Sequence, residues 1–239
     1  MNPLFALDHV VVVVRDLDRT VADYQAAGFT VVPGGRHPGR NTRNALVVFQ
    51  DGAYIELIAY DAPSPEERWW RVLDAHGEGL VDFALLPQDI ADVLAAARAR
   101  GQADIEERPG GRARPDGVRI AWQSARPSTH DLPFLCADVT PRALRVPQGE
   151  VRHHASGALG ISEVTVAVAD LQSTLARYRA YLGPEAVAGD AVRLSGARIA
   201  LVQQPGRARG EGPCEVKLRY ADSGSGEGRV QPLDVPLLS

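Results

Sequence analysis

Residues 7–17 read LDHVVVVVRDL, and this stretch decides the fold. The run of valines is typical of a buried β-strand, and Asp16 is the type of residue that caps the N-terminus of a helix. The helical pattern that follows continues to about Ala27 and stops at Gly28, as helices commonly do. The sequence therefore predicts a strand and then a helix, with the imidazole of His9 inside the strand.

The same order of strand, capping aspartate and helix occurs twice more. The second copy runs from Leu80 through Asp89 to Gly101, and the third runs from Ile161 through Asp170. Strand-like runs bounded by Gly and Pro follow each helix, at residues 30–32, 44–50 and 53–60, then 118–124 and 132–137, then 191–194, 197–203 and 215–220. Each copy therefore reads β-α-β-β-β. A Pro-Gly-Gly-Arg motif recurs at residues 33–36 and 109–112, where we predict loops.

These copies predict an α+β protein. One unit alone leaves a sheet face uncovered, so we expect two tandem βαβββ units to form a curved, mixed or antiparallel sheet cup that receives alternate side chains from every strand. The cup should occupy residues 1–145, with its units at about 6–60 and 79–140. A linker over 146–160, a third, degenerate βαβββ-like unit over 161–222 and a flexible C-terminal tail over 223–239 complete the prediction.

Composition excludes several classes of protein. Of the 239 residues, 45% are hydrophobic and 23% charged, and the formal net charge of −4 provides no basic field for nucleic acid or anionic lipid. The longest apolar run, residues 10–14, is far shorter than the roughly 20 residues of a membrane span. The N-terminus shows no secretory signal. We therefore expect a cytoplasmic protein with no nucleic-acid or membrane partner.

Short motifs in the first unit carry a resemblance to a known superfamily. Residues 7–10 (LDHV) place a histidine in the first strand, and residues 54–57 (YIEL) place a glutamate in the fourth. This tandem arrangement resembles the vicinal oxygen chelate superfamily, which includes glyoxalase I and the extradiol dioxygenases. The segments at 33–37 (PGGRH), 41–44 (NTRN) and 157–160 (GALG) resemble, more narrowly, the bacterial glyoxalase-like domain family. The likeness covers residues 6 to about 183.

The resemblance implies a ligand site in the cup. Family members that use a metal bind it through the first-strand His and the fourth-strand Glu of each unit, which implies His9 and Glu56 here. The second unit offers Asp82 in place of its histidine and no carboxylate on its fourth strand. We expect either a divalent metal (Mn, Fe, Mg or Zn) held by His9, Glu56 and Asp82, or no cofactor. Glyoxalase I activity itself is not expected, because the second ligand pair is missing.

His9 and Glu56 each allow two interpretations. A buried imidazole needs a hydrogen-bond partner or a ligand, and a carboxylate on an apolar face is costly. The two side chains could simply pair with each other, or they could act as acid, base or metal ligand. We predict that both are catalytic.

The segment at residues 36–44 is a candidate substrate clamp. Guanidinium groups bind carboxylates or phosphates through paired hydrogen bonds, although a solvated polar loop is the alternative. The predicted substrate-binding residues are Arg36, His37, Arg40, Arg43, Asn44, Tyr54 and Trp122.

The predicted function is lyase, isomerase or oxygenase chemistry on a small, oxygenated, anionic metabolite. The alternatives are a metal-free protein that sequesters a small drug or metabolite, and an assembly module whose cup is filled by large hydrophobic side chains. The third unit could cover the cup as a lid or pair with another chain. Because an exposed sheet favours association, we expect a homodimer.

Overall fold

The first copy of the repeat forms β1 (Phe5–Val14), α1 (Leu17–Ala26), β2 (Val32–Arg36), β3 (Thr42–Val48) and β4 (Tyr54–Tyr60). The computed structural model describes residues 5–114, 116–220 and 230–233. The Asp16 carboxylate caps α1 by accepting the Arg19 N–H, and Gly28 follows the helix with a φ of 84°. The order predicted for this unit is confirmed.

The second copy contains β5 (Gly79–Pro87), α3 (Ile90–Ala99), β6 (Ile105–Ala113), β7 (Arg119–Pro127) and β8 (Phe134–Asp138), preceded by α2 (Arg68–His76). The sequence pattern predicted neither α2 nor β6.

Both Pro-Gly-Gly-Arg motifs lie in strands, β2 and β6, so the prediction of loops is wrong. A Cβ on Gly34 would overlap the side chain of Asn44, and one on Gly110 would overlap Trp122. The first glycine of each motif therefore makes room for a side chain of the adjacent strand rather than forming a turn.

The strands of the first two units close into a barrel in the order β1-β4-β3-β2-β6-β7-β8-β5. Strand β1 pairs in parallel with β4 and antiparallel with β5. Alternate valines of β1 face opposite sides: Val10, Val12 and Val14 pack in the outer core beneath the helices, whereas Val11 and Val13 pack inside the barrel. The predicted α+β class is confirmed, and the cup is a closed barrel.

The third copy forms β9 (Ala158–Val168), α5 (Leu171–Leu182), β10 (Val187–Ala188), β11 (Ala191–Arg193), β12 (Arg198–Gln203), β13 (Gly212–Tyr220) and β14 (Val230–Pro232). Its separate sheet has the order β10-β11-β12-β9-β13-β14. Side chains of α5 and β9 belong to the same hydrophobic core as those of α1 and α3, so this unit packs on the outside of the barrel. It is joined to the second copy by α4 (Arg142–Arg145) and a 3₁₀ turn at Gly149–Arg152; a second such turn, Pro184–Ala186, follows α5.

Part of the tail joins the third sheet. Strand β14 pairs with β13, and the N–H of the buried Leu233 donates to Val216 O at 2.8 Å. Within the predicted flexible tail, residues 230–232 therefore form a strand and Leu233 docks beside Val216, while 223–229 and 234–239 lie outside the described residues. None of the helices in the described part of the chain is long and apolar enough to cross a membrane.

Candidate functional site

The barrel encloses a cavity of about 600 Å³ lined by side chains of both units. The first unit contributes His9, Tyr54 and Glu56, and the second contributes Arg112 and Trp122. This volume is typical of a small-molecule site. The interpretation of a cup filled by large hydrophobic side chains is therefore wrong.

His9 lies on the wall of the cavity and is held by its neighbour Asp8. The imidazole Nδ1 is 2.6 Å from Asp8 Oδ2, and the ring stacks on Tyr54 with centroids 4.6 Å apart. Strand alternation would place Asp8 and His9 on opposite faces. A register shift between Leu7 and His9 in the pairing with β5 leaves Asp8 as a bulged residue and brings the carboxylate to the imidazole.

Asp8 is fully buried in a network of charged groups. Burial alone would raise the pKa of Asp8, but Arg145 and the adjacent imidazole hold it well below its usual value. Arg145 donates to both Asp8 oxygens, at 2.7 and 3.1 Å, and to the Tyr54 hydroxyl at 2.8 Å. Arg142 donates to Asp8 Oδ1 at 2.5 Å, and Asp138 accepts from both arginines. An ionised Asp8 can only accept a hydrogen bond from the imidazole, so Nδ1 carries a hydrogen and Nε2 is the ring nitrogen that faces the cavity.

Glu56 faces the free nitrogen of His9. Its Oε2 lies 3.7 Å from His9 Nε2, beyond hydrogen-bond range, and its Oε1 accepts from Asn44 Nδ2 at 2.5 Å. His37 Nε2 is 4.0 Å from the same Oε1, and burial lowers the pKa of His37, so this imidazole is neutral at pH 7. Two ring nitrogens and one carboxylate therefore surround one small volume.

Asp82, the third predicted metal ligand, is not placed with His9 and Glu56. Its Oδ2 accepts from Arg68 Nη2 at 2.5 Å and from Trp69 Nε1 at 2.9 Å. Among the residues that the structure describes, no three His, Cys, Asp or Glu side chains are arranged to hold a metal ion. The predicted ligand set is not assembled, because Asp82 is committed to other partners.

Arginines are the commonest charged residues of the cavity lining. Within the described part of the chain, seven arginines and four carboxylates line the cavity, while Asp8, Asp82 and Glu67 behind the lining pair with Arg145, Arg68 and Arg40. Guanidinium groups that line a cavity favour an anionic ligand.

The predicted clamp is only partly in the cavity. His37, Arg40, Asn44, Tyr54 and Trp122 line it as expected.

Arg36 and Arg43 do not line the cavity. They are direct partners across β2 and β3 and so share one face. Arg36 pairs with Asp61, and Arg43 pairs with Asp18 and Asp61, all outside the cavity lining. The structure leaves these two predicted substrate-binding residues outside the cavity, because the segment folds as a hairpin whose alternate side chains point away from it.

Sequence reasoning missed five of the cavity arginines, which are Arg68, Arg71, Arg108, Arg126 and Arg145. Arg126 had a local signal, because it lies four residues after Trp122 in β7 and strand alternation places both on one face. Arg145 had none, since its position depends on how α4 packs against β1.

Comparisons with known proteins identify relatives of this fold. A family model described as "Glyoxalase-like domain" matches residues 7–182. A hypothetical protein from Staphylococcus aureus is similar with a TM-score of 0.72 and 15% identity, over 95% of this chain and 98% of that one. A mutant of 4-hydroxymandelate synthase from Streptomyces coelicolor has a TM-score of 0.55 and 16% identity, over 90% of this chain and 70% of that one.

A fusion of a xylose isomerase-like TIM barrel with 4-hydroxyphenylpyruvate dioxygenase has a TM-score of 0.57 and 16% identity, over 91% of this chain and 36% of that one. A search of curated proteins finds no match. At these identities the solved structures establish the fold alone, and the family match confirms the resemblance found in the sequence.

Proposed function

We propose that this chain, which belongs to the glyoxalase-like domain family, is an enzyme that moves a proton on a small, oxygenated, anionic substrate held in the barrel cavity. The observation that carries the proposal is the buried Asp8–His9 pair, whose free Nε2 faces Glu56 at 3.7 Å. The arginines of the cavity lining supply the preference for an anion. No step requires a metal.

His9 acts as the proton acceptor. Because Asp8 accepts the Nδ1–H, Nε2 is the nitrogen that takes the substrate proton, and the ionised carboxylate stabilises the imidazolium that then forms. A substrate C–H or O–H that enters the volume beside Nε2 is within reach of this base.

Glu56 acts as the second proton carrier. Asn44 holds Oε1, which leaves Oε2 directed toward His9. Isomerisation and elimination both need one group that removes a proton and another that donates or accepts at a neighbouring atom. The buried guanidinium of Arg112, which donates to Gly34 O, lines the same cavity and would stabilise a developing oxyanion.

Proton exchange tests this function without knowledge of the natural substrate. The full chain is incubated in D₂O with a panel of short 2-oxo and 2-hydroxy acids, and deuterium incorporation next to the oxygenated carbon is followed by NMR. We expect exchange with at least one acid, and a loss of about 10²- to 10⁴-fold in His9→Ala, the usual contribution of a general base.

Arg43→Gln is the matched control, because Arg43 lies outside the cavity; it should exchange at the wild-type rate. Acids that bind without any exchange would overturn the proposal and favour the sequestration function instead.

A further inference from the structure

Arg126 is held against two aromatic rings inside the cavity. Its guanidinium carbon lies 4.8 Å from the ring centroid of Trp69 and 4.7 Å from that of Phe134, while 30% of its side chain remains accessible. Among the described residues, its guanidinium has no hydrogen-bond acceptor, and the nearest carboxylate oxygen, Asp82 Oδ2, is 3.5 Å away. The planar guanidinium of Arg126 therefore presents N–H donors to the cavity that make no hydrogen bond within the described residues.

Asp82 is the carboxylate partner of both Arg68 and Arg126. Asp82 Oδ2 already accepts from Arg68 and from Trp69. Burial alone would raise the pKa of Asp82, but Arg68 and Arg126 lower it, so the carboxylate is ionised. Two cations and one anion leave a surplus of one positive charge. An uncompensated charge in a partly buried site is costly until an anion joins it.

Phe134 connects this cluster to the catalytic residues. Its ring centroid lies 5.3 Å from that of His9 and 4.7 Å from the guanidinium carbon of Arg126. Because the Phe134 ring contacts both groups, no more than this one ring separates the Arg126 guanidinium from the His9 imidazole. A short-chain acid is long enough to place its anionic group at one and its reacting carbon at the other.

We infer that Arg126, with Arg68 beside it, is an anion subsite that binds the carboxylate or phosphate group of the substrate and selects anionic over neutral molecules. The inference rests on the proposed function for the location of the reacting carbon, near His9. Bound oxyanions accept paired hydrogen bonds from the Arg126 guanidinium and replace the missing second counter-ion of the cluster. The selected substrates are small acids whose oxygenated carbon is close to the anionic group.

Direct binding tests the subsite independently of turnover. Isothermal titration calorimetry compares 2-oxobutyrate, inorganic phosphate and the neutral methyl ester of 2-oxobutyrate on the full chain. We expect either 2-oxobutyrate or phosphate to bind. Binding of 2-oxobutyrate would identify the anionic group of the substrate as a carboxylate, and binding of phosphate would identify it as a phosphate. For Arg126→Gln we expect about 10- to 100-fold weaker binding of that anion, the loss typical of a hydrogen bond between charged groups.

Arg126→Lys keeps the positive charge but lacks the planar pair of donors, so it should bind the anion with an affinity between those of wild type and Arg126→Gln. It also keeps the test valid if Arg126→Gln does not fold. Arg43→Gln should bind as the wild type does. Equal affinity for acid and ester, unchanged binding in both Arg126 variants, or no binding of either anion at millimolar concentration would each overturn the subsite. Anion binding that depends on Arg126 but shows no proton exchange would retain the subsite and reject the catalytic function.

Discussion

Replacement of Arg145 by Met tests the charged network that fixes Asp8. The Arg145 side chain is 4% exposed and donates to Asp8 at 2.7 and 3.1 Å and to Asp138 at 2.6 and 2.9 Å. Methionine keeps much of the volume and removes the charge, so Arg142 must then neutralise both carboxylates. Removing one partner of a buried ion pair costs about 3–5 kcal/mol, and we expect the free energy of unfolding at pH 7 to fall by about that amount.

The cost of Arg145→Met should shrink in acid. The pKa of folded Asp8 is well below the value of 3.8 that applies to the unfolded chain. Its stabilising contribution is therefore complete above that value and is lost as the pH falls through the folded-state pKa. Urea unfolding followed by circular dichroism, for wild type and variant between pH 7 and pH 2, measures this convergence, which should begin below about pH 4.

Arg98→Met is the matched control for the charged network. Arg98 and its partner Glu107 are 47% and 38% exposed, and a pair of this kind contributes about 0–1 kcal/mol. Equal losses of stability in the Arg98 and Arg145 variants would refute the reasoning, as would a loss in Arg145→Met that does not change with pH.

Three further predictions concern stability and assembly. Gly110→Ala should lower the free energy of unfolding by about 1–3 kcal/mol, measured by calorimetry, because a Cβ there overlaps Trp122. Burial lowers the pKa of His154 below 6.5, so wild-type stability should fall as the pH drops below that value, and His154→Gln should flatten the slope in urea titrations. The chain should form a homodimer, and light scattering that gives the mass of one chain at micromolar concentration would contradict this.

The repeat made most of the fold predictable, and tertiary contacts explain what was missed. Helix α2 begins at Arg68 after Glu67, which makes no capping hydrogen bond, so its start has no local signal. Burial of Trp69 and Leu73 against the barrel interior stabilises it instead. Strand β6 contains adjacent glycines, which usually indicate a break in a strand. Here Gly110 accommodates the indole of the neighbouring strand, which sequence alone does not reveal.

His154, in the predicted linker, shows the same limit. It is buried, although nothing in its local sequence indicates this. Its Nδ1 accepts the Thr30 N–H at 3.0 Å, and its Nε2 is 3.1 Å from Val48 O. Contacts over more than a hundred residues of sequence separation determine its burial.

The candidate site was predictable where strand alternation alone decides it. His9 and Glu56 face the cavity because each occupies an inward position in its strand. Asp82 matched His9 in the alignment of the repeats, but its environment is determined by Arg68 and Arg126, which come from α2 and β7. A repeat gives a residue its strand position, whereas the groups packed against that strand decide its chemistry.

The ratio of arginines to carboxylates separates two uses of arginine in this barrel. Beside His9, Arg142 and Arg145 share Asp8 and Asp138, so two cations meet two anions and the result is a fixed carboxylate that holds the His9 imidazole.

At the other cluster, Arg68 and Arg126 share Asp82 alone, and one positive charge is left over. A substrate anion gains little at the balanced cluster and supplies the missing charge at the other. The anionic group of the substrate should therefore bind at Arg126. The rest of the substrate then extends along Phe134 toward His9. The charge imbalance at Asp82 thus determines the orientation of the substrate.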